Sequence, residues 1–170
     1  MAAGFGGKWV GLRMRGDGNG FVENPDGTKH WGLHGAAGLL LRAPAPDGTA
    51  LILLQHRALW THDGGTWSLP GGARDSHETA AEAAVREALE EAGIAAEAIR
   101  VRGEQVTAVA PSGWTYTTVV ADVVEALPVT PNNESVEIAW IPEGEVELRP
   151  LHPAFALVWP ELRIGYRDEA

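Results

Sequence analysis

At 170 residues, with 45% apolar and 21% charged residues and a formal charge of −10, the chain has the length and composition of one globular domain. So acidic a protein offers no field to a polyanionic duplex, although a bound divalent metal can reverse the sign locally for a small phosphorylated substrate. The longest apolar runs, such as residues 51–54, fall far short of the ~20 residues of a membrane helix, the first residues lack the charged and apolar segments of a secretory signal, and cysteine is absent, which together point to a cytoplasmic protein without disulfides or cysteine-ligated zinc.

Residues 1–32 are Gly-rich, with clusters at residues 16–20 and 24–27 that read as turns between short extended pieces, an arm or hairpin ahead of a main domain at 33–170. Residues 34–42 and 49–57 are apolar runs flanking a Pro-Asp-Gly turn, a strand pair. From Trp67 to Gly72, a proline and paired glycines are expected to forbid regular structure. Residues 78–92 are dense in Ala, Glu, Leu and Arg and predict the clearest helix, with Asp75 as N-cap, Glu78 as its capping-box partner and Gly93 as the stop. Strands follow at 100–109, 115–125 and 136–141, with a polar loop at 131–133 and a short helix after Pro153. Two helices among more numerous strands give a mixed α+β domain.

On the helix, Ala81, Ala84, Val85, Ala88, Leu89 and Ala92 share one stripe, whose small side chains suit close packing on a sheet. Glu87, Glu90 and Glu91 fall together on roughly the opposite side. Like charges at these spacings repel, and a hard divalent cation would offset that repulsion. A solvated acidic face is the plain alternative for the three glutamates, and a helix-surface ion pair with Glu82 is the plain alternative for Arg86.

The register from Gly72 to Ile94 weighs against both plain alternatives. It reads G, five residues, E, seven residues, R-E, an apolar residue, any residue, E-E, any residue, G and an apolar residue. This resembles the Nudix box position for position, with Ala88 standing where a larger aliphatic residue is preferred. The resemblance implies an α/β/α sandwich around a mixed sheet and a metal-dependent hydrolase of pyrophosphate linkages. It implies that Glu87, Glu90 and Glu91 ligate Mg²⁺ or Mn²⁺, with Gly72 letting the backbone approach the metal, and that Glu78 and Arg86 fix the loop against the helix. Gly71 shares that loop. The general base varies in the family, so Glu90, Glu91 and a later-loop residue remain candidates. Glu134 is the first choice for the later loop, with Glu137 beside it.

For substrate recognition, Arg57 closes a strand ahead of the box, and Trp67, Trp114 and Trp60 lie at turns where an aromatic face could stack on a base. Most of the seven tryptophans must simply be core. His30 and His34 are four apart, a zinc spacing on a helix, but Gly32 and the strand-like run after it argue against one. His77 reads as solvent-facing and His152 as structural. The expected substrate is a small nucleotide, first a nucleoside triphosphate (an oxidised guanine nucleotide included), then ADP-ribose, a dinucleotide or a sugar nucleotide. A Nudix module that binds without turnover is the reading of another class, disfavoured because every box carboxylate and the arginine are present. A homodimer is left open.

Overall fold

The computed structural model describes residues 16–165. The described chain enters through a two-stranded hairpin, β1 (Phe21–Glu23) and β2 (Lys29–Trp31), and then builds a seven-stranded mixed sheet. β3 (Ala36–Pro44) and β4 (Ala50–Arg57) are the two apolar runs, antiparallel about a turn in which Gly48 takes φ +81°. β5 (Trp67–Ser68) and β6 (Gly71–Ala73) follow, then helix α1 (Ala80–Ala92), β7 (Arg100–Val109), β8 (Thr115–Asp122), β9 (Ser135–Pro142) and helix α2 (Pro153–Gly165). The last helix is thirteen residues, longer than the short one expected.

β3 is the hub. One edge runs parallel to β8 from Ala36 opposite Tyr116 to Arg42 opposite Asp122. The other edge is divided, pairing antiparallel with β6 at Ala36–Gly38 and with β4 at Arg42–Pro44. Side chains alternate across the sheet. Ala37, Leu39 and Leu41 join Leu53, Val119 and Ile138 under the alanines of α1, while Leu40 joins Ile52, Leu54 and Ile141 under Phe155, Trp159 and Leu162 of α2. This two-residue period makes two cores from the same strands and gives the α/β/α sandwich.

Three local expectations are corrected. The segment from Trp67 to Gly72 is not irregular: two short strands flank Pro70, and glycine is what permits the second. A Cβ on Gly71 would lie 2.4 Å from the Ala37 carbonyl oxygen and 2.6 Å from Gly38 Cα. The N-cap is Thr79, whose hydroxyl accepts from the Glu82 N–H (3.1 Å) while the Glu82 carboxylate accepts from the Thr79 N–H (2.8 Å). Two capping signals stand four residues apart, and the Asp75 carboxylate is taken up elsewhere, by the N–H groups of Gly16 and Gly18.

The third correction concerns the buried stripe of α1. It runs through Ala80, Ala83, Ala84, Ala88, Glu91 and Ala92, while Leu89 is 52% exposed. The helix is turned by one residue from the hydrophobicity reading. Its inner face therefore takes in Glu91, at 3% exposure, and a largely buried Glu87.

Candidate active site

The box loop and α1 meet at atoms that only glycine could place there. The Gly71 N–H donates to Glu91 Oε2 at 2.9 Å, and a Cβ on Gly72 would sit 2.5 Å from Glu87 Oε1. Arg86 ties the arrangement down. Its Nε and Nη2 donate to the two carboxylate oxygens of Glu78 (2.6 and 3.0 Å), its Nη2 also to the Ala73 carbonyl (3.0 Å), and its Nη1 to Glu87 (2.9 Å) and, more loosely, Glu90 (3.4 Å). Such two-pronged geometry belongs to arginine and not to lysine.

The charges are unevenly served. Burial works against ionisation of Glu78, but the Arg86 hydrogen bonds overcome it and hold the group below the ordinary glutamate range. Burial pushes Glu87 up to about 7, against the pull of Arg86 and with the help of Glu90 and Glu134. Burial pushes Glu91 up to about 8, reinforced by Glu87 and Glu134 and only partly relieved by the Gly71 N–H and Gln55. Two buried carboxylates, of which Arg86 reaches only Glu87, with a glycine-lined space beside them, form a hard-oxygen donor set short of positive charge. That set fits a divalent cation.

These groups line one wall of a cleft of about 1190 Å³. Glu134 lies on it too, exposed, with its N–H bonded to Asn132 Oδ1 (3.0 Å) and its carbonyl accepting from the Ala58 N–H (3.0 Å). Glu137 stands opposite His56 in the β4–β9 pairing and is not among the described residues on the cleft wall. Arg57 reaches the cleft but spends Nε and Nη2 on the His62 carbonyl. Trp114 and Trp60 line it. Trp67 does not: at 7% exposure it stacks on His56 (4.7 Å), lies beneath the Arg149 guanidinium and belongs to the α2-side core.

Several residues on this wall escaped the sequence reading. Gln55 is almost fully buried, donates to Ser135 Oγ at 2.7 Å and reaches Glu91. A lone polar residue ending the run of residues 51–54 was the available signal. Tyr116 fills the space opened by Gly38, where a Cβ would lie within 2.9 Å of the phenol Cζ, and burial raises its pKa. Phe21 and Trp31 reach the cleft from the hairpin, and nothing in their local sequence marks them. Asp17, Asp75 and His77 also stand close enough to share an ion. The two carboxylates there already accept N–H bonds from Gly16, Gly18 and Ser76. His30 is a strand residue stacked on Trp114, His77 is exposed, and His152 Nε2 lies 3.1 Å from Asp63.

Residues 32–161 match the NUDIX domain. A Mycobacterium tuberculosis (strain H37Rv) protein named "Putative 8-oxo-dGTP diphosphatase 3" is 59% identical over 155 residues, covering 89% of this chain and 71% of that protein. A nucleoside triphosphate pyrophosphatase/Nudix hydrolase fusion protein of Bifidobacterium longum is 42% identical over 148 residues, 84% of this chain and 30% of the fusion. Among solved structures, the Nudix hydrolase RenU of M. smegmatis superposes with a TM-score of 0.83 at 57% identity, covering 86% of this chain and 93% of that one. A C. elegans Ap4A hydrolase shares the fold at 18% identity, with a TM-score of 0.64 over 78% of this chain and 98% of that one. The chain belongs to the Nudix family. Within it, the protein is a pyrophosphohydrolase acting on nucleotides, of a kind that generally works with divalent metal.

Proposed function

We propose that the chain hydrolyses a nucleoside triphosphate to the monophosphate and pyrophosphate, with an oxidised guanine nucleotide as the substrate class, in the cytoplasm. The observation that carries the reaction is the pair of buried carboxylates, Glu87 and Glu91, set against the Gly71–Gly72 backbone with Glu134 on the same cleft wall. The name of the M. tuberculosis relative supports the substrate class.

Glu87, Glu90 and Glu91 would hold Mg²⁺, with Mn²⁺ as the alternative, which when bound supplies the positive charge that phosphate displacement requires and acidifies water. The chain's own residues do the rest. Arg86 and Glu78 position the loop against α1. Glu134, exposed and with its backbone fixed at both ends, takes the proton of the attacking water, Glu90 and Glu91 being the box alternatives for that base. Water adds its oxygen to the α or the β phosphorus, the bond from that phosphorus to the oxygen bridging the two breaks, and the group beyond that oxygen, pyrophosphate or nucleoside monophosphate respectively, leaves with the electron pair. Arg57 and Trp114 stand on the cleft wall to meet phosphate and base.

The test is product analysis over 8-oxo-dGTP, dGTP, ADP-ribose, a dinucleotide and a sugar nucleotide with Mg²⁺, repeated in ¹⁸O water to locate the phosphorus attacked. Preferred release of pyrophosphate and monophosphate from 8-oxo-dGTP is expected. Faster cleavage of ADP-ribose or a dinucleotide would replace the substrate class, and binding without turnover of any of them would make the protein a non-catalytic module.

A further inference from the structure

Phe21 and Trp31 face each other across the β1–β2 register, rings edge to face at 4.9 Å, and both line the cleft. They remain 61% and 46% exposed, an open aromatic pair of the sort that surfaces carry for a ligand. With three residues a strand, such a hairpin is marginal by itself. It is held from two sides. At the box loop, Asp75 accepts from the N–H groups of Gly16 (3.0 Å) and Gly18 (2.9 Å), and Asp17 accepts from the Ser76 N–H (2.9 Å). There the two backbones touch, so that a Cβ on Gly18 would lie 2.1 Å from the Arg74 carbonyl oxygen. At the β7–β8 turn, Asn24 Oδ1 accepts from the Ser112 N–H, Trp114 Nε1 donates to the Trp31 carbonyl, and His30 stacks on the Trp114 ring.

We infer that this hairpin, residues 16–33, is the nucleobase-binding wall of the cleft, with Phe21 and Trp31 as its stacking faces. The inference rests on the nucleotide reading above and adds to it where the base sits and what sets its distance from the phosphates. Asp75 is the link. Its carboxylate holds the hairpin, while its own N–H donates to Glu78 (3.0 Å), the partner of Arg86, so one residue joins the base wall to the support of the carboxylates. β1 and β2 precede the stretch matched by the NUDIX domain, which begins at residue 32. An aromatic base fits two apolar ring faces that carry no charge. Asp75 is accordingly a positioning residue, and the two rings are contact residues.

The experiment compares wild type with Phe21→Ala and Trp31→Ala, using Val124→Ala, exposed and off the cleft, as the control. Loss of a base–aromatic stack predicts KM for the nucleoside triphosphate raised about tenfold or more in each ring variant. The kcat should stay within about twofold, because stacking contributes equally to ground and transition states. Inhibition by imidodiphosphate, which carries phosphates and no base, should be unchanged, as should the melting temperature. Unchanged KM in both ring variants overturns the inference, and so does a joint loss of nucleotide and imidodiphosphate affinity. Calorimetric binding of the nucleoside monophosphate separates the two levels. A wild type that turns over no nucleotide yet binds the monophosphate, with binding weakened in the ring variants, sinks the hydrolase reading and keeps the wall. A wild type without monophosphate binding or turnover sinks both.

Discussion

The two ends of the cleft are built on opposite physical terms. Around Gly72 the parts are charged, buried and in contact: carboxylates against glycine backbone, one arginine shared among three of them, and no room for a methyl group. At the hairpin the parts are apolar and exposed, and what fixes them is a set of hydrogen bonds from the hairpin to the box loop and to the β7–β8 turn. The first end stores electrostatic strain that a cation can relieve. The second holds open surface that a flat ring can cover. Substitutions should therefore act on rate at one end and on affinity at the other.

The sharpest break of that contrast is Glu91→Gln, which should lower kcat on the order of 10³-fold. The metal-free protein should melt no lower, and higher on the alkaline side, because the amide is neutral at every pH whereas the buried Glu91 carboxyl must ionise without a full set of partners as pH rises through about 8. Steady-state kinetics and calorimetry on the one variant read both effects, and a fall in both together would mean that Glu91 is a structural group. Gly72→Ala should cost about 10²-fold in kcat, the scale of a displacement near 1 Å at a reacting centre, since the new Cβ displaces the Glu87 carboxylate.

Acid–base behaviour sharpens the same end. Glu87 and Glu91 have folded pKa values of about 7 and 8, above the ordinary 4.5, so the folded metal-free chain binds more protons than the unfolded one between those limits. Its stability is then fullest below pH 4.5 as far as these two groups are concerned, and declines as pH rises towards 8. Divalent metal affinity runs the other way, rising through pH 7 and 8 as the protons leave. Melting curves with and without Mg²⁺ across pH 5–9 should diverge towards the alkaline side, and parallel curves would show that the two carboxylates do not hold the ion. The smallest effect expected is at the hairpin. Asp75→Asn keeps one good acceptor for two N–H groups, which should cost ~1 kcal/mol, a melting shift of about 2–4 °C. A modest rise in KM should accompany it, and a fall in kcat alone would sever the proposed link between hairpin and cleft.

The charged end was the more legible in sequence because its chemistry needs several residue types at fixed spacing. β3 and β4 were legible as apolar runs, and their turn as Pro-Asp-Gly. What could not be read was orientation. Val85 and Leu89 looked like the inner face of α1, yet the close fit against β3 and β6 favours the all-alanine stripe one residue earlier, and Glu91 comes with it. Trp67 and Trp31 look alike in sequence beside their turns. The chain sends the first into the core by pairing its N–H with the Pro150 carbonyl and its carbonyl with the His152 N–H, and leaves the second on the cleft. Those contacts span some eighty residues, beyond the range of any local pattern. β5 and β6 escaped for a related reason: Gly71 and Gly72 break strands in isolation and make one here because Ala37 and Gly38 lie directly across from them.

The divided edge of β3 carries a consequence for assembly. Small residues stand on both sides only where Ala36, Ala37 and Gly38 meet Ala73, Gly72 and Gly71. A slip of two residues would keep each side chain on its face of the sheet but carry Leu39 or Leu40 against Gly71 and Gly72, a place with no space for them. A slip of one would exchange the two hydrophobic faces of the sandwich. The glycines that admit the carboxylates thus also act as a keyway that permits one alignment of strands joined across more than thirty residues of chain. In this molecule, correct threading of the sheet is what completes the carboxylate-lined wall of the cleft.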